Sequence, residues 1–415
     1  MPVEFIGMVS NRPQSELTGG ESGVDGPLGR VDGPPLDVEH LTRFIRVHEE
    51  GEFDRILIGY FAGAPDGWAI SSYAASITDR LGFLMAHRPG FVAPTVAARK
   101  AATLDVLSGG RFAMHIITGG SDIDQQRDGD YLDKVERYAR TSEFLDIARQ
   151  DWVSDHPFDY EGRFYRVSQA FSAIKSLQQP HIPVYFGGSS NEALDVAAKH
   201  ADVWATWGEP LAEVKAQIAD LHSRARPFGR KPGVSVSFRP ILGATEEKAW
   251  ERAHQILERI KIVRGDAPPP APANAGSQRL LDAAKGGHVR DERLYTAIAE
   301  VTGARGNSTA LVGTPDQVAE TLLQYNEAGC TTLLIRGYNP VEDAIDYGRD
   351  LLPIVRDEVR LRDLRALNEA ARAQQEVAER AAAQSSEGGS SSGGSSNGTG
   401  SSEGAAVPAE SVAVR

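Results

Sequence analysis

Short apolar runs and amphipathic stretches alternate along most of this chain, and this alternation constrains the fold more than any other feature. Eight runs rich in β-branched and apolar residues are predicted as strands, at 3–9, 55–60, 82–87, 111–118, 183–186, 202–206, 234–242 and 332–336. Stretches with the apolar spacing of helices follow most of them, at 38–50, 95–107, 137–152, 193–200, 212–226, 246–263 and 315–327. Strands apolar enough for burial on both faces, alternating with helices, predict an α/β fold, a (β/α)8 TIM barrel. A doubly wound open sheet is the alternative, because periodicity does not show whether a sheet closes.

One internal segment departs from this alternation. Residues 265–308 begin with DAPPPAPANAG and are too long and irregular for an ordinary barrel connection. They form either a surface loop or a mobile lid, since the segment follows the seventh strand and barrel active sites lie at the carboxyl ends of the strands. As a lid, the segment would carry Arg290, Arg293 and Arg305.

The C-terminal part of the chain has a different composition. Helical spacing predicts a C-terminal helix at 356–383, and the Ser/Gly-rich remainder, 384–415, is predicted to be a disordered tail. Residues 1–355 are therefore the predicted barrel domain.

Composition excludes several classes of function. The chain has 44 Lys and Arg against 57 Asp and Glu, a formal net charge of −13, so binding to nucleic acid by bulk charge is not expected. Its single cysteine, Cys330, forms no intramolecular disulfide or multi-thiolate site, and its scattered histidines lack zinc-ligand spacing, so no metal is expected. The sequence shows neither a signal peptide nor the ~20 consecutive apolar residues that span a bilayer. We therefore predict a cytoplasmic protein with no nucleic-acid or membrane partner.

Two Gly-rich strand ends carry the clearest indication of a ligand. The sequence FGGSS at 186–190 lies between a predicted strand and a predicted helix, and HIITGG at 115–120 ends an earlier strand. Paired glycines allow backbone amides to approach a phosphate, while serine hydroxyls and a helix N-terminus favour it. An ordinary tight turn with a serine N-cap is the alternative. Tyr138, near the start of the 137–152 helix, is placed to reach the same phosphate, or else to pack on the core.

The seventh predicted strand places a positive charge toward its carboxyl end. Residues two apart share a face of a strand, so Ser237 and Arg239 point the same way and Phe238 points the opposite way. An arginine that faces a barrel mouth is costly unless it meets an anion. Arg239 therefore either binds an anionic ligand or pairs with a carboxylate of the barrel.

Many short segments, in order and at fitting spacing, resemble the bacterial luciferase-like flavin monooxygenases, in particular the reduced-FMN-dependent alkanesulfonate monooxygenases. The resemblance covers roughly residues 3–353. The matching segments are RP at 88–89, PTVAAR at 94–99, ATLD at 102–105, SGGR at 108–111, TG at 118–119, DGD at 128–130, ERY at 136–138, QQP at 178–180, YFGGSS at 185–190, TWGEP at 206–210 and TALVG at 309–313.

The resemblance implies a barrel that receives reduced FMN (FMNH2) from a separate NAD(P)H-dependent flavin reductase and activates O2 at the flavin C4a as a peroxyflavin. The implied cofactor-binding residues are His115, Thr118, Tyr138, Gly187, Gly188, Ser189 and Ser190. The implied catalytic residues are Arg305, Tyr338 and Arg239. The implied substrate-binding residues are Arg88, His87, Ser237 and Trp207.

The chain also departs from the pattern of alkanesulfonate monooxygenases. Their cysteine near the end of the second strand is Ala64 here, and their Arg-x-His on the seventh strand is SFR, with Arg239 in the histidine position. The asparagine of the fourth strand is His115, and the leucine before Arg-Pro is His87. These differences indicate retained flavin machinery and a rebuilt substrate pocket.

The leading hypothesis is a two-component FMNH2-dependent monooxygenase that oxidises a small anionic or organosulfur substrate, converting a sulfonate to aldehyde and sulfite. A deazaflavin (F420)-dependent oxidoreductase and a non-catalytic flavin-binding barrel are the alternatives. Members of the family commonly pair through barrel helices, so a homodimer or homotetramer is expected.

Overall fold

The structure, a computed structural model, describes residues 3–12, 34–265, 269, 271–304 and 308–387. Its strands are β1 (Glu4–Met8), β2 (Arg55–Ile58), β3 (Gly82–His87), β4 (Phe112–Ile117), β5 (Phe158–Glu161), β6 (Arg166–Ala170), β7 (Val184–Gly187), β8 (Val203–Trp207), β9 (Gly233–Leu242), β10 (Val289–Arg290), β11 (Leu294–Tyr295), β12 (Ala310–Gly313) and β13 (Cys330–Ile335). Its helices are α1 (Val38–Glu50), α2 (Gly67–Ile77), α3 (Pro94–Leu107), α4 (Asp122–Arg127), α5 (Lys134–Val153), α6 (Asn191–His200), α7 (Leu211–Ala225), α8 (Glu246–Arg264), α9 (Ala275–Lys285), α10 (Ala297–Thr302), α11 (Pro315–Glu327), α12 (Pro340–Asp346) and α13 (Leu352–Glu387). A 3-10 turn at Arg226–Phe228 follows α7, and a π-helical turn at Tyr347–Leu351 precedes α13.

Eight of these strands form a closed parallel barrel. Each strand pairs in parallel with the next in the order β1, β2, β3, β4, β7, β8, β9 and β13, and β13 pairs with β1. The closure confirms the predicted TIM barrel and excludes the open sheet. The eight barrel strands correspond one to one to the eight predicted runs.

The barrel strands are buried on both faces, which explains their nearly continuous apolar sequences. Ile6, Leu84, Ala113 and Tyr185 form a small cluster inside the barrel. Neighbouring residues such as Phe83 belong to the larger core between strands and helices. Because side chains alternate along a strand, these two clusters show which residues of each strand face the barrel interior and which face the helix layer.

The segment predicted as an insertion lies between the seventh and eighth barrel strands, after α8. Its described residues include α9, β10, β11 and α10, so it is more regular than its sequence suggested. β11 pairs antiparallel with β12, and β12 pairs in parallel with residues 239–242 of β9. These contacts extend β9 and attach the segment to the carboxyl end of the barrel, which we call the mouth.

The chain divides into two compact units, Met1–Arg360 and Leu361–Arg415. The barrel lies in the first, and the described part of the second is the continuation of α13. This helix spans Leu352–Glu387, so it begins four residues before and ends four residues after the predicted 356–383. The rest of the predicted tail lies outside the described residues. Within the described chain, no helix combines the length and the apolar character needed to cross a membrane.

Candidate active site

The loop after β7 has the predicted strand, turn and helix arrangement. β7 ends at Gly187, and Ser190 is the N-cap of α6, with its Oγ accepting a hydrogen bond from the Ala193 amide at 3.4 Å. The first turn of α6 thus opens directly behind the two glycines. Amides at such a turn, with the positive end of the helix dipole, favour an anion.

Gly188 is the position in this loop that requires glycine. Its φ is +145°, and a Cβ there would lie 2.9 Å from the Ala193 Cβ and 3.0 Å from the Tyr138 hydroxyl. The Tyr138 hydroxyl therefore lies against the loop at Gly188. Its ring belongs to the hydrophobic core, 6.4 Å from that of Phe186, which is the alternative that the sequence left open.

His115 lies beside the same loop, on the interior face of β4. Its Nε2 is 3.0 Å from the position of a Cβ on Gly187. Its Nδ1 is buried and has no hydrogen-bond partner among the residues that the structure describes. Burial lowers the pKa of His115 from 6.5 to about 4, so the imidazole is neutral at pH 7.

Acidification from about pH 6.5 to pH 4 is expected to destabilise the fold through His115. The pKa of His115 is lower in the folded protein than in the unfolded chain, so the unfolded chain binds more protons in this window. The free energy of unfolding therefore decreases as the pH is lowered. A His115→Asn variant removes this contribution and should reduce the loss between pH 7 and 4.5 by about 1–2 kcal/mol. Urea denaturation at several pH values measures the difference. The exposed His156 supplies the control variant, His156→Asn, and an unchanged pH dependence in His115→Asn would contradict the expectation.

Ser237 and Arg239 share the interior face of β9, as predicted. Ser237 is in register with Trp207 of β8, and Phe238 points the other way, with its ring 4.7 Å from that of Tyr325 in α11. The Arg239 guanidinium lies 5.0 Å from the Tyr338 ring centroid, and its Nη1 donates to the Gly337 carbonyl at 3.0 Å. Two of the predicted catalytic residues are thus in contact at the mouth.

Arg336 is a candidate that the sequence analysis missed. It directly follows β13. It lies two residues after Leu334, which packs on the cluster inside the barrel, so its side chain points to the same, interior side. It is 6% exposed, and its Nη1 lies 3.4 Å from the Met8 Sδ of β1. Like Arg239, Arg336 ends an apolar run at a position facing the barrel interior, so the alternation of side chains along the strand indicated it from the sequence.

Helix α9 covers part of the mouth beside Trp207. A Cβ on Gly276 of α9 would lie 3.2 Å from the Trp207 ring. Arg279, one turn later, pairs with Glu209 just beyond β8 and donates to the Ser189 carbonyl at 3.3 Å. The segment between the seventh and eighth strands therefore reaches the glycine and serine loop.

Arg88 is already occupied by a carboxylate. It forms a short ion pair with Asp124 of α4, and its guanidinium lies 4.7 Å from the Tyr60 ring centroid. This pairing neutralises the charge that the sequence analysis assigned to a substrate anion. The hydroxyl of Tyr60 in turn donates to Asp128 at 3.0 Å.

His87 lies in the helix layer, apart from the residues at the mouth. Its ring centroid is 5.3 Å from that of Phe144 in α5 and 5.7 Å from that of Trp68 in α2. On β3, the side chains of Leu84 and Ala86 point into the barrel. The next residue, His87, therefore points outward. Burial lowers its pKa to about 4, and it is therefore neutral within this aromatic packing.

The remaining predicted residues are distributed as follows. Thr118 is buried just beyond β4, and its carbonyl accepts from the Gln125 side chain at 3.3 Å. Arg290 and Arg293 pair with carboxylates of the surrounding fold, Glu213 at 3.5 Å and Glu246 at 3.1 Å respectively. Arg305 lies outside the described residues.

Comparisons with known proteins agree with this architecture. The model of a family described as luciferase-like monooxygenase matches residues 3–332. A riboflavin lyase, solved with modified FMN and riboflavin, is 16% identical, with 86% of this chain and 92% of that chain covered and a TM-score of 0.68.

Two further solved structures show how wide this fold class is. EDTA monooxygenase from Chelativorans sp. BNC1 is 17% identical over 86% of this chain and 94% of its own, with a TM-score of 0.66. An F420-dependent secondary alcohol dehydrogenase in complex with an F420–acetone adduct is 16% identical over 86% and 99%, with a TM-score of 0.60. At these identities the structures share the fold with this chain.

Proposed function

The chain belongs to the luciferase-like monooxygenase family, and from that premise we propose that it is the oxygenase of a two-component system supplied with reduced FMN by a separate NAD(P)H-dependent flavin reductase. The proposed substrate is a small anionic or organosulfur compound, with an alkanesulfonate as the first candidate. The observation that carries this proposal is the loop after β7, where the Tyr138 hydroxyl lies against Gly188 at the same mouth as Arg239.

The residues of the loop fit the phosphate of FMN. Because Gly188 has no side chain, Ala193 of α6 and the Tyr138 hydroxyl approach the loop backbone closely. Tyr138, Ser189 and Ser190 contribute hydroxyls beside the N-terminus of α6. Hydroxyls, amides and a helix N-terminus together stabilise a phosphate without requiring a lysine or arginine in direct contact. We therefore assign the phosphate to this loop.

Reduced FMN, when bound, supplies the electrons for the activation of O2. His115, in β4 next to β7, and Thr118, just beyond β4, are proposed to bind the remainder of the cofactor. The neutral imidazole of His115 can donate or accept a hydrogen bond without adding charge. Trp207, covered by α9, restricts the entry of water from the side of β8.

The substrate anion is assigned to the part of the mouth at β9 and β13, which are two and three strands from β7 in the barrel order. Arg239 lies in β9 and Arg336 directly follows the adjacent β13, so they bring two positive charges to the interior face, with Ser237 and Tyr338 as further hydrogen-bond donors. Arginine binds sulfonate oxygens, like those of carboxylate and phosphate, through paired N–H groups. Arg305 is proposed as a third arginine, by resemblance alone. Arg88 is not part of this proposal because Asp124 already pairs with it.

Anaerobic titration with reduced FMN, followed by oxygen uptake in the presence of a flavin reductase, tests the function. We expect reduced FMN to bind at micromolar concentration, and a sulfonate among a panel of sulfonates, sulfones and thioethers to release sulfite. Failure to bind reduced FMN would refute the proposed function. Binding with oxidation of a sulfone or thioether only would refute the alkanesulfonate assignment.

The F420-dependent dehydrogenase of the same fold supplies the one rival cofactor with an observation behind it. Parallel titration with F420 separates the two, because each cofactor presents a different tail to the loop after β7. Tighter binding of F420, with reduction by an alcohol, would replace the monooxygenase proposal.

A further inference from the structure

Arg279 of α9 occupies a position between a buried carboxylate and the proposed phosphate loop. Its Nε lies 2.9 Å from both carboxylate oxygens of Glu209, and its Nη2 donates to Gln217 Oε1 at 3.1 Å. Its Nη1 donates to the Ser189 carbonyl at 3.3 Å. A single guanidinium therefore connects the middle of α7, the segment after β8 and the loop after β7.

Glu209 is held in place by several contacts and so fixes the position of this arginine. The residue is 1% exposed, its carboxylate accepts from Gln217 Nε2 at 2.7 Å, and its backbone carbonyl accepts from the Tyr325 hydroxyl at 2.8 Å. Burial raises the pKa of Glu209, and the hydrogen bond and charge of Arg279 oppose that shift. The ion pair is directional, because both partners are held on several sides.

The carbonyls of the loop are anchored at two successive peptides. The Trp204 indole N–H donates to the Gly188 carbonyl at 2.7 Å, and Arg279 holds the next carbonyl, that of Ser189. Both peptides are trans, so the N–H groups of Ser189 and Ser190 point away from these anchors. Each anchor thus fixes the direction of one amide in the loop.

We infer that Arg279 is a positioning residue for recognition of the cofactor phosphate: it orients the Ser189–Ser190 peptide so that its amide faces the phosphate. The inference rests on the proposed function, in which this loop binds FMN. It gives the segment between the seventh and eighth strands a defined task, the selection of a phosphorylated flavin over an unphosphorylated one.

The readout is the ratio of the dissociation constants for riboflavin and FMN, since the two ligands differ only in the phosphate. In Arg279→Met, the amide loses its fixed direction, and we expect the preference for FMN to fall by about 10- to 100-fold, the range for one hydrogen bond to a charged group. Riboflavin affinity should change little. A purely structural role for Arg279 would weaken both ligands equally and leave the ratio unchanged.

Arg290→Met is the matched control. Arg290 lies in the same segment and has similar side-chain exposure, 28% against 31% for Arg279, and it pairs with Glu213 at 3.5 Å. The two variants lose the same charge, so a distant effect of net charge should appear in both. We expect the ratio to change in Arg279→Met only; an equal change in both variants would overturn the inference.

Arg279→Lys covers the case in which the methionine variant fails to fold. An ammonium retains the charge but does not bridge Glu209 and the Ser189 carbonyl in one plane. We expect a reduced preference for FMN, and a full wild-type preference would overturn the positioning role. Failure of the wild-type protein to bind FMN at all would instead refute the proposed function, so the two failures are distinguishable.

Discussion

Replacement of Gly188 by valine is expected to lower the affinity for FMN by on the order of 100-fold while the barrel stays folded. The positive φ of +145° disfavours a side chain at this position, at a cost of about 1–3 kcal/mol. A Cβ would also meet the Ala193 Cβ at 2.9 Å and the Tyr138 hydroxyl at 3.0 Å. The loop must shift to relieve these contacts, and the amides, hydroxyls and helix N-terminus assigned to the phosphate no longer converge. Loss of about 3 kcal/mol of charged hydrogen bonds corresponds to this factor.

Gly229 offers the matched control for this substitution. Its φ is +63°, and the position of a Cβ there has no neighbour within 4 Å. Gly229→Val should therefore show the backbone strain as lower stability in urea denaturation, with unchanged FMN affinity. Titration of both variants with FMN and riboflavin checks the assignment. Wild-type FMN affinity in Gly188→Val would show that the phosphate binds elsewhere.

The barrel and the strand, turn and helix arrangement around residues 184–200 were predictable because their signals are local. Strands buried on both faces produce continuous apolar runs, and a turn that opens a helix behind paired glycines needs few residues to specify it. The helix α2 was not assigned because its Gly67–Ile77 sequence contains no charged residue that would mark an exposed face. The hydroxyl of Ser71 donates to the Gly67 carbonyl at 2.7 Å, so even a serine is accommodated on the buried side of that helix.

The contacts of the site residues could not be predicted, because they join residues that are far apart in the sequence. Asp124, the partner of Arg88, lies 36 residues away on the short helix α4. The position of His87 in the helix layer follows from strand parity, which only the cluster inside the barrel fixes. The link from α9 to the phosphate loop joins Arg279 and Ser189 across 90 residues. Such pairings follow from the topology of the barrel, and no local pattern specifies them.

Replacement of Arg239 by methionine is expected to lower kcat/KM for a sulfonate substrate strongly. Its guanidinium lies at the mouth over the Tyr338 ring, on the strand adjacent to the one that Arg336 follows. For a sulfonate, Arg239→Met removes about 3–4 kcal/mol of charged hydrogen bonding and should lower kcat/KM by about 100- to 1000-fold. FMN affinity should not change, because the loop proposed to bind the phosphate follows β7, and β8 separates β7 from β9.

A neutral substrate distinguishes recognition of the anion from general damage to the site. If Arg239 binds the sulfonate group, oxidation of a sulfone of the same alkyl chain should lose much less kcat/KM than oxidation of the sulfonate. Arg239→Lys retains the charge but loses the planar pair of donors, and an intermediate loss is expected. Parallel measurement of sulfite release and oxygen uptake reports both the rate and the coupling of flavin oxidation to product. Equal losses for both substrates would instead assign Arg239 to the support of Tyr338 and the Gly337 carbonyl, the two groups that it contacts across the ends of β9 and β13.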